Sequence, residues 1–162
     1  MIVFPNAKIN LGLFITEKRT DGFHNLESLF LPIPLCDILE VTPSSEETSL
    51  ISTGESSDIP TEKNIVYKAW QLLKEKHNIG NVLIHLHKVI PSGAGMGGGS
   101  SDGSFMLKAL NELFNLNLRI EALEDYAAQL GSDCPFFIKN TRSEEHTSEL
   151  QSPCNLVCRL LL

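Results

Sequence analysis

The 162-residue sequence has no basic excess, no apolar run long enough to span a bilayer, and few aromatic residues, at 7% of the chain. Lys and Arg number 13 against 20 Asp and Glu, so the net charge is -7. That balance argues against general nucleic-acid binding, because a polyanion favours a basic surface. The missing apolar run excludes a membrane span, and MIVFPNAK at the N-terminus lacks the layout of a signal peptide. Cysteines at 36, 134, 154 and 158 follow neither a metal-ligand spacing nor a disulfide framework. A reducing cytoplasm is therefore the expected compartment, with no membrane and no nucleic acid as partner.

Glycine, by contrast, is concentrated in one place. Residues 91–101, PSGAGMGGGSS, hold five glycines in eleven positions. They follow an apolar alternation at Val82, Ile84, Leu86 and Ile90, expected as a strand over Val82–Ile90. They precede Met106, Leu110 and Leu113, which fall on one helix face. Strand, glycines, then Ser100-Ser101-Asp102 and a helix form a phosphate-binding pattern. First-turn N–H groups carry partial positive charge, and glycines let an anion reach further N–H groups without obstruction. The serine hydroxyls would add donors or touch a metal carried on the phosphates. Other readings compete. A flexible linker fits poorly between a strong strand and a strong helix. Gly93, Gly95 and Gly98 satisfy G-x-G-x-x-G, although a dinucleotide fold normally opens with that motif. A Walker loop fails for want of Gly-Lys-Ser/Thr. Asp102 is expected as a helix N-cap or first-turn residue.

The rest of the chain reads as α+β. Ile9, Leu11, Leu13 and Ile15 alternate with Lys8, Asn10, Gly12 and Phe14, a strand with Lys8 and Asn10 on one face. Thr20-Asp21-Gly22 predicts a turn, and residues 24–31 the returning strand. Residues 38–42 continue the β pattern, and 43–60 read as a surface loop with a short strand at 49–52. Asn64 caps a helix carrying Val66, Ala69, Trp70 and Leu73. A last helix carries Leu123, Tyr126, Ala127 and Leu130 and stops at Gly131. His85 and His87 lie two apart on a strand without a third ligand and read as structural.

Three motifs in order give the sequence a family resemblance. PSGAGMGGGSS resembles the nucleotide loop of the GHMP kinase superfamily, the galactokinase, homoserine kinase, mevalonate kinase and phosphomevalonate kinase group. AKINLGLFITEKRTDGFHNLESLF is similar to the N-terminus of the 4-diphosphocytidyl-2-C-methyl-D-erythritol kinases. LGSDCPFFI resembles that family's third signature. The resemblance implies a GHMP-kinase N-terminal domain, ribosomal protein S5 domain 2-like, over residues 1–141. It also implies ATP with Mg²⁺ as cofactors, and phosphorylation of a cytidine diphosphate methylerythritol in isoprenoid synthesis.

By the same resemblance, Lys8 and Asp133 are catalytic. Pro91, Ser92, Gly93, Ala94, Gly95, Met96, Gly97, Gly98, Gly99, Ser100 and Ser101 hold the nucleotide, with Asn64 beside the adenine and Lys88 just upstream of the loop. Asn10, Phe23 and His24 grip the cytidine substrate. Phe23 stands where the family usually has tyrosine, keeping a stacking ring but losing a hydroxyl. Without the motif, Asp133 reads as a turn residue between Gly131 and Pro135, Lys8 as a solvated strand residue and His24 as a turn or core histidine. Another GHMP small-molecule kinase, of homoserine or mevalonate type, and a non-catalytic nucleotide-binding fragment remain the alternatives.

The last 21 residues look foreign to the rest. RSEEHTSELQS at 142–152 and LVCRLLL at 156–162 resemble the translated constant parts of a short-read sequencing adapter on either side of a variable index. Residues 142–162 are expected to be a non-native tail, and the chain as written to have little or no kinase activity.

Overall fold

The computed structural model describes residues 1–18, 24–55 and 59–140. Phe23 and the 142–162 tail lie outside them. β1 (Ile2–Val3), β4 (Ile38–Ser44), β5 (Ser49–Gly54) and β6 (Asn81–Lys88) form one sheet in the order β1-β4-β6-β5. β4 is antiparallel to β1 and to β6, whereas β5 runs parallel to β6. Parallel neighbours need a crossover, and α1 (Ile65–His77) supplies it. The segment expected as a loop with a short strand thus provides the sheet's edge. β2 (Asn6–Lys18) and β3 (His24–Cys36) make a separate long antiparallel hairpin, longer at both ends than the apolar alternation indicates. α2 (Gly98–Leu113), α3 (Ile120–Leu130) and a short α4 (Cys134–Lys139) complete the fold.

Burial alternates along β4 and β6, as a sheet covered on one face demands. Leu39, Val41, Val82, Ile84 and Leu86 point at the helices, where Val66, Ala69, Trp70 and Leu73 of α1 and Met106, Leu107 and Leu110 of α2 meet them. Ile38, Ile51 and Leu83 point outward and are exposed. His85 and His87 share that side, each hydrogen-bonded to Thr53 Oγ1, at 3.1 and 3.0 Å. A second, smaller cluster of Phe30, Phe136 and Phe137 fastens the hairpin to α4. Phe30 and Phe136 meet edge-on at 5.2 Å. Among the described residues no helix is long and apolar enough to cross a membrane.

Two expectations about local structure need correction. α2 begins at Gly98, with Gly97 as its cap in the left-handed conformation, so Ser100, Ser101 and Asp102 lie inside the helix. Asp102 is neither cap nor first-turn residue. It is the fifth helical position, buried and turned inward. The helix starts early because Gly97 supplies a positive φ and Gly98 a close packing that a propensity argument counts only as penalties. α4 was not anticipated, because six residues are too few for a period to register.

Candidate functional site

Between β6 and α2 the chain makes an exposed loop around a cleft of about 450 Å³. Residues 91–100 line it together with Asn64, Lys88 and Asp102, and Ser52, Ile59 and Lys63 close its far side. Gly93, Gly95 and Gly97 have φ between 69° and 75°. A Cβ added at Gly93, Gly95 or Gly99 would meet nothing within 4 Å, so the backbone there faces open space. No side chain caps α2, and its first-turn N–H groups therefore open into the same cleft. Bare backbone beside an uncapped helix start is a geometry that can accept an anion. Asn64 has two placements at once: it lines the cleft and its Oδ1 accepts from Val66 N at 3.0 Å, capping α1.

Lys8 sits where the loop lands on α2. Its backbone N donates to the carbonyl of Met96 at 2.9 Å. Its Cε packs so close to Gly97 that a Cβ there would stand 3.2 Å from it and 3.0 Å from the Phe137 ring. The side chain is only 4% exposed. Its ammonium donates to Asn10 Oδ1 at 2.6 Å, lies 3.6 Å from Asp133 Oδ2 and 4.2 Å above the Phe30 ring. Strand alternation puts Lys8 and Asn10 on one face, and α4 brings the partner: Asp133 stands at its N-terminal boundary and the phenylalanines that follow anchor it to the hairpin. The turn after α3 thereby delivers a carboxylate to a lysine 125 residues earlier. Asn140 closes the arrangement, donating to Asn6 Oδ1 at 2.6 Å.

Not every residue expected at the cleft faces it. Ser101 is fully buried, its Oγ has no protein partner, and it does not line the cleft, whereas Ser100 does. Lys88 reaches the cleft wall, but its ammonium is held inside by two carboxylates, Asp37 Oδ2 at 2.5 Å and Asp102 Oδ2 at 2.6 Å. His24 opens β3. Asp37 carried no sequence signal, since the partners of its carboxylate lie 51 residues or more away along the chain.

Two carboxylates around one ammonium leave a surplus negative charge in a dry site. Burial accordingly pushes Asp102 up to about 8, against the pull of Lys88. Between its ordinary value of 3.8 and about 8 the folded chain holds a proton that the unfolded chain releases. Stability from this group therefore falls as pH rises through that window and levels off above it. Urea unfolding from pH 5 to 9 should show Asp102→Asn with a shallower decline than the parent. Parallel curves would contradict the protonated assignment.

Residues 64–140 match the GHMP kinases N terminal domain. The chain is 58% identical over 140 residues to the 4-diphosphocytidyl-2-C-methyl-D-erythritol kinase of Azobacteroides pseudotrichonymphae, covering 86% of this chain and 52% of that protein. This chain belongs to the GHMP kinase family. The enzyme of the same name from Bacteroides fragilis is 54% identical over 160 residues, covering 96% of the chain and 58% of the relative. A solved 4-(cytidine 5'-diphospho)-2C-methyl-D-erythritol kinase superposes with a TM-score of 0.73 at 39% identity, over 86% of this chain and 49% of that one. The GHMP kinase chain thus spans about half the length of the curated relatives it matches. Its α+β architecture is the N-terminal domain expected from the three motifs.

Proposed function

We propose that residues 1–141 bind ATP in the glycine cleft and form the N-terminal half of a kinase that phosphorylates the 2-hydroxyl of 4-diphosphocytidyl-2-C-methyl-D-erythritol. The observation that carries this reading is the Lys8–Asp133 pair set against the end of the loop, 3.6 Å apart, with Lys8 N on the Met96 carbonyl. Phosphoryl transfer needs alignment and charge neutralisation more than covalent help, and these parts suit it. Backbone N–H groups between Ser92 and Ser100 would wrap the triphosphate, while Asn64 and Ile65 flank the adenine. Asp133 takes the proton of the attacking hydroxyl. Lys8, fixed by Asn10, steadies the charge that grows on the transferred group. Asn10, Phe23 and His24 hold the cytidine diphosphate. The tail at 142–162 takes no part, and the enzyme works in the cytoplasm on a small molecule rather than on nucleic acid or a membrane.

The residues fit Mg²⁺ only as a passenger on the nucleotide. Among the described residues no three His, Cys, Asp or Glu side chains gather into a metal cage. Mg²⁺ commonly arrives with substrate phosphates, keeping several waters, and here Ser52, Ser92 and Ser100 line the cleft. When bound it would neutralise phosphate charge.

Two measurements test the proposal. Calorimetry on the 162-residue chain should detect ATP binding that GTP or CTP does not match. Residues 1–140 joined to the C-terminal half of the Bacteroides fragilis relative should phosphorylate the cytidine diphosphate substrate. Turnover of homoserine or mevalonate instead would overturn the substrate assignment. Because the chain spans only half its relatives, the chain alone is expected to bind ATP without efficient transfer.

A further inference from the structure

The buried Asp37–Lys88–Asp102 cluster forms part of the cleft's inner wall through Lys88 and Asp102, with Asp37 behind them, and the transfer chemistry proposed above gives it no step. Asp37 sits between β3 and β4 and is fully buried. Its backbone N donates to the Pro5 carbonyl at 2.8 Å, which brings it to the start of β2. One carboxylate oxygen, Oδ1, accepts from Val89 N at 2.6 Å and from Ile90 N at 2.8 Å. The other, Oδ2, receives Lys88 Nζ.

Those two backbone N–H groups mark the end of a sheet. β6 pairs with β4 only as far as His87, opposite Ile38, and with β5 as far as Lys88, opposite Gly54. Beyond that the ladder has no strand to offer, and a buried N–H without an acceptor is strongly disfavoured. The Asp37 carboxylate extends the ladder by two bonds and fixes the direction in which the chain leaves for Pro91. Close contacts leave little alternative on the other side. Glu55 N donates to the Lys88 carbonyl at 2.9 Å, and a Cβ at Gly54 would stand 2.2 Å from that same oxygen.

The far end of the loop is tied to the same point. Lys88 Nζ reaches Asp102, in the second turn of α2, and the Ile90 side chain packs where a Cβ on Gly98 would have to go, 2.9 Å away. The start of the loop, at 88–90, and its landing, at 98–102, are therefore clamped by one cluster. The seven residues between them, 91–97, are exposed or half-exposed, and the Met96 carbonyl ties them to β2 by accepting from Lys8 N.

We propose that Asp37 is a positioning residue for the phosphate loop: its carboxylate sets where the loop's N–H groups stand, and so how tightly they hold a nucleotide's phosphates. This rests on the ATP reading given above. Asp37 touches no phosphate itself. An amide in its place cannot accept on both sides, so either the Val89 and Ile90 N–H groups or Lys88 loses its acceptor. A serine keeps one acceptor for the N–H groups and leaves Lys88 with Asp102 as its one carboxylate partner.

The experiment compares Asp37→Asn and Asp37→Ser with the parent 162-residue chain, titrating ATP and adenosine separately and checking the fold by circular dichroism. A carboxylate holding two N–H groups and an ammonium implies that the Kd for ATP rises about tenfold or more in either folded variant. Adenosine, which lacks phosphates, should bind all three alike. If a folded variant holds ATP as the parent does, or loses ATP and adenosine in equal proportion, the positioning role is overturned. If the parent chain itself fails to bind ATP, the fault lies one step earlier, in the nucleotide reading.

Discussion

Asp133→Ala, placed in the fusion of residues 1–140 with a relative's C-terminal half, should lower the rate of phosphoryl transfer by about 10²–10⁴-fold, the usual contribution of a positioned general base. The Kd for ATP should stay within a few-fold, because the Asp133 carboxylate lies on the Lys8 side of Gly97 and does not line the nucleotide cleft. Asp133→Asn sharpens the test. The amide preserves shape and can still accept from Lys8, but it takes no proton from a hydroxyl. If the carboxylate is the base, both variants are equally slow. Near-parental turnover in Asp133→Asn would reduce Asp133 to an anchor for Lys8. Retained turnover in both would remove it from the mechanism.

The second large effect belongs to Gly97. An alanine there must adopt φ near 69°, which disfavours an L-residue by about 1–2 kcal/mol. Its Cβ must also fit 3.0 Å from the Phe137 ring and 3.2 Å from Lys8 Cε. Neither neighbour yields easily: Phe137 is fully buried between α4 and the hairpin, and Lys8 is held by Asn10. Gly97→Ala should therefore destabilise the chain by about 2–4 kcal/mol in urea unfolding, combining the backbone penalty with that of overpacking. It should also displace Lys8, so the fusion loses rate as well as stability. Gly93→Ala provides the contrast. Its φ of 75° imposes a similar backbone penalty, but its Cβ meets nothing within 4 Å. A loss of about 1–2 kcal/mol is expected there. Equal losses at the two positions would show that contact with Phe137 and Lys8 contributes nothing.

These contrasts separate two properties of the loop that composition alone merges. Glycines at 93 and 95 face the cleft, where an absent side chain leaves room for a ligand. Glycines at 97 and 98 face the body, where it leaves room for Lys8, Phe137 and Ile90. The first pair leaves open space and the second permits packing, so the second should respond more strongly in a chain without nucleotide.

Much of the architecture is present as local pattern. Alternation at Val82, Ile84 and Leu86 marks β6, and the spacing of Val66, Ala69, Trp70 and Leu73 marks the buried face of α1. The glycine loop, our proposed phosphate site, is legible because strand, glycines and helix follow one another without a gap. Lys8 and Asp133 were legible only through motif resemblance. On composition each is an ordinary strand lysine or turn aspartate, and no local period connects positions 8 and 133.

What the sequence by itself determined is therefore whatever neighbours along the chain can enforce: strands, helices, the bare-backbone loop and the pairing of Lys8 with Asn10 on one face. Only the tertiary structure decided that Asp37 meets Lys88 and Asp102, that Ser101 turns inward while Ser100 lines the cleft, and that Asp133 lands beside Lys8. The physical reason is that desolvation and ion pairing act across space. Their partners are selected by how the sheet, the hairpin and α4 pack, and that packing leaves no periodic trace at the residues it joins.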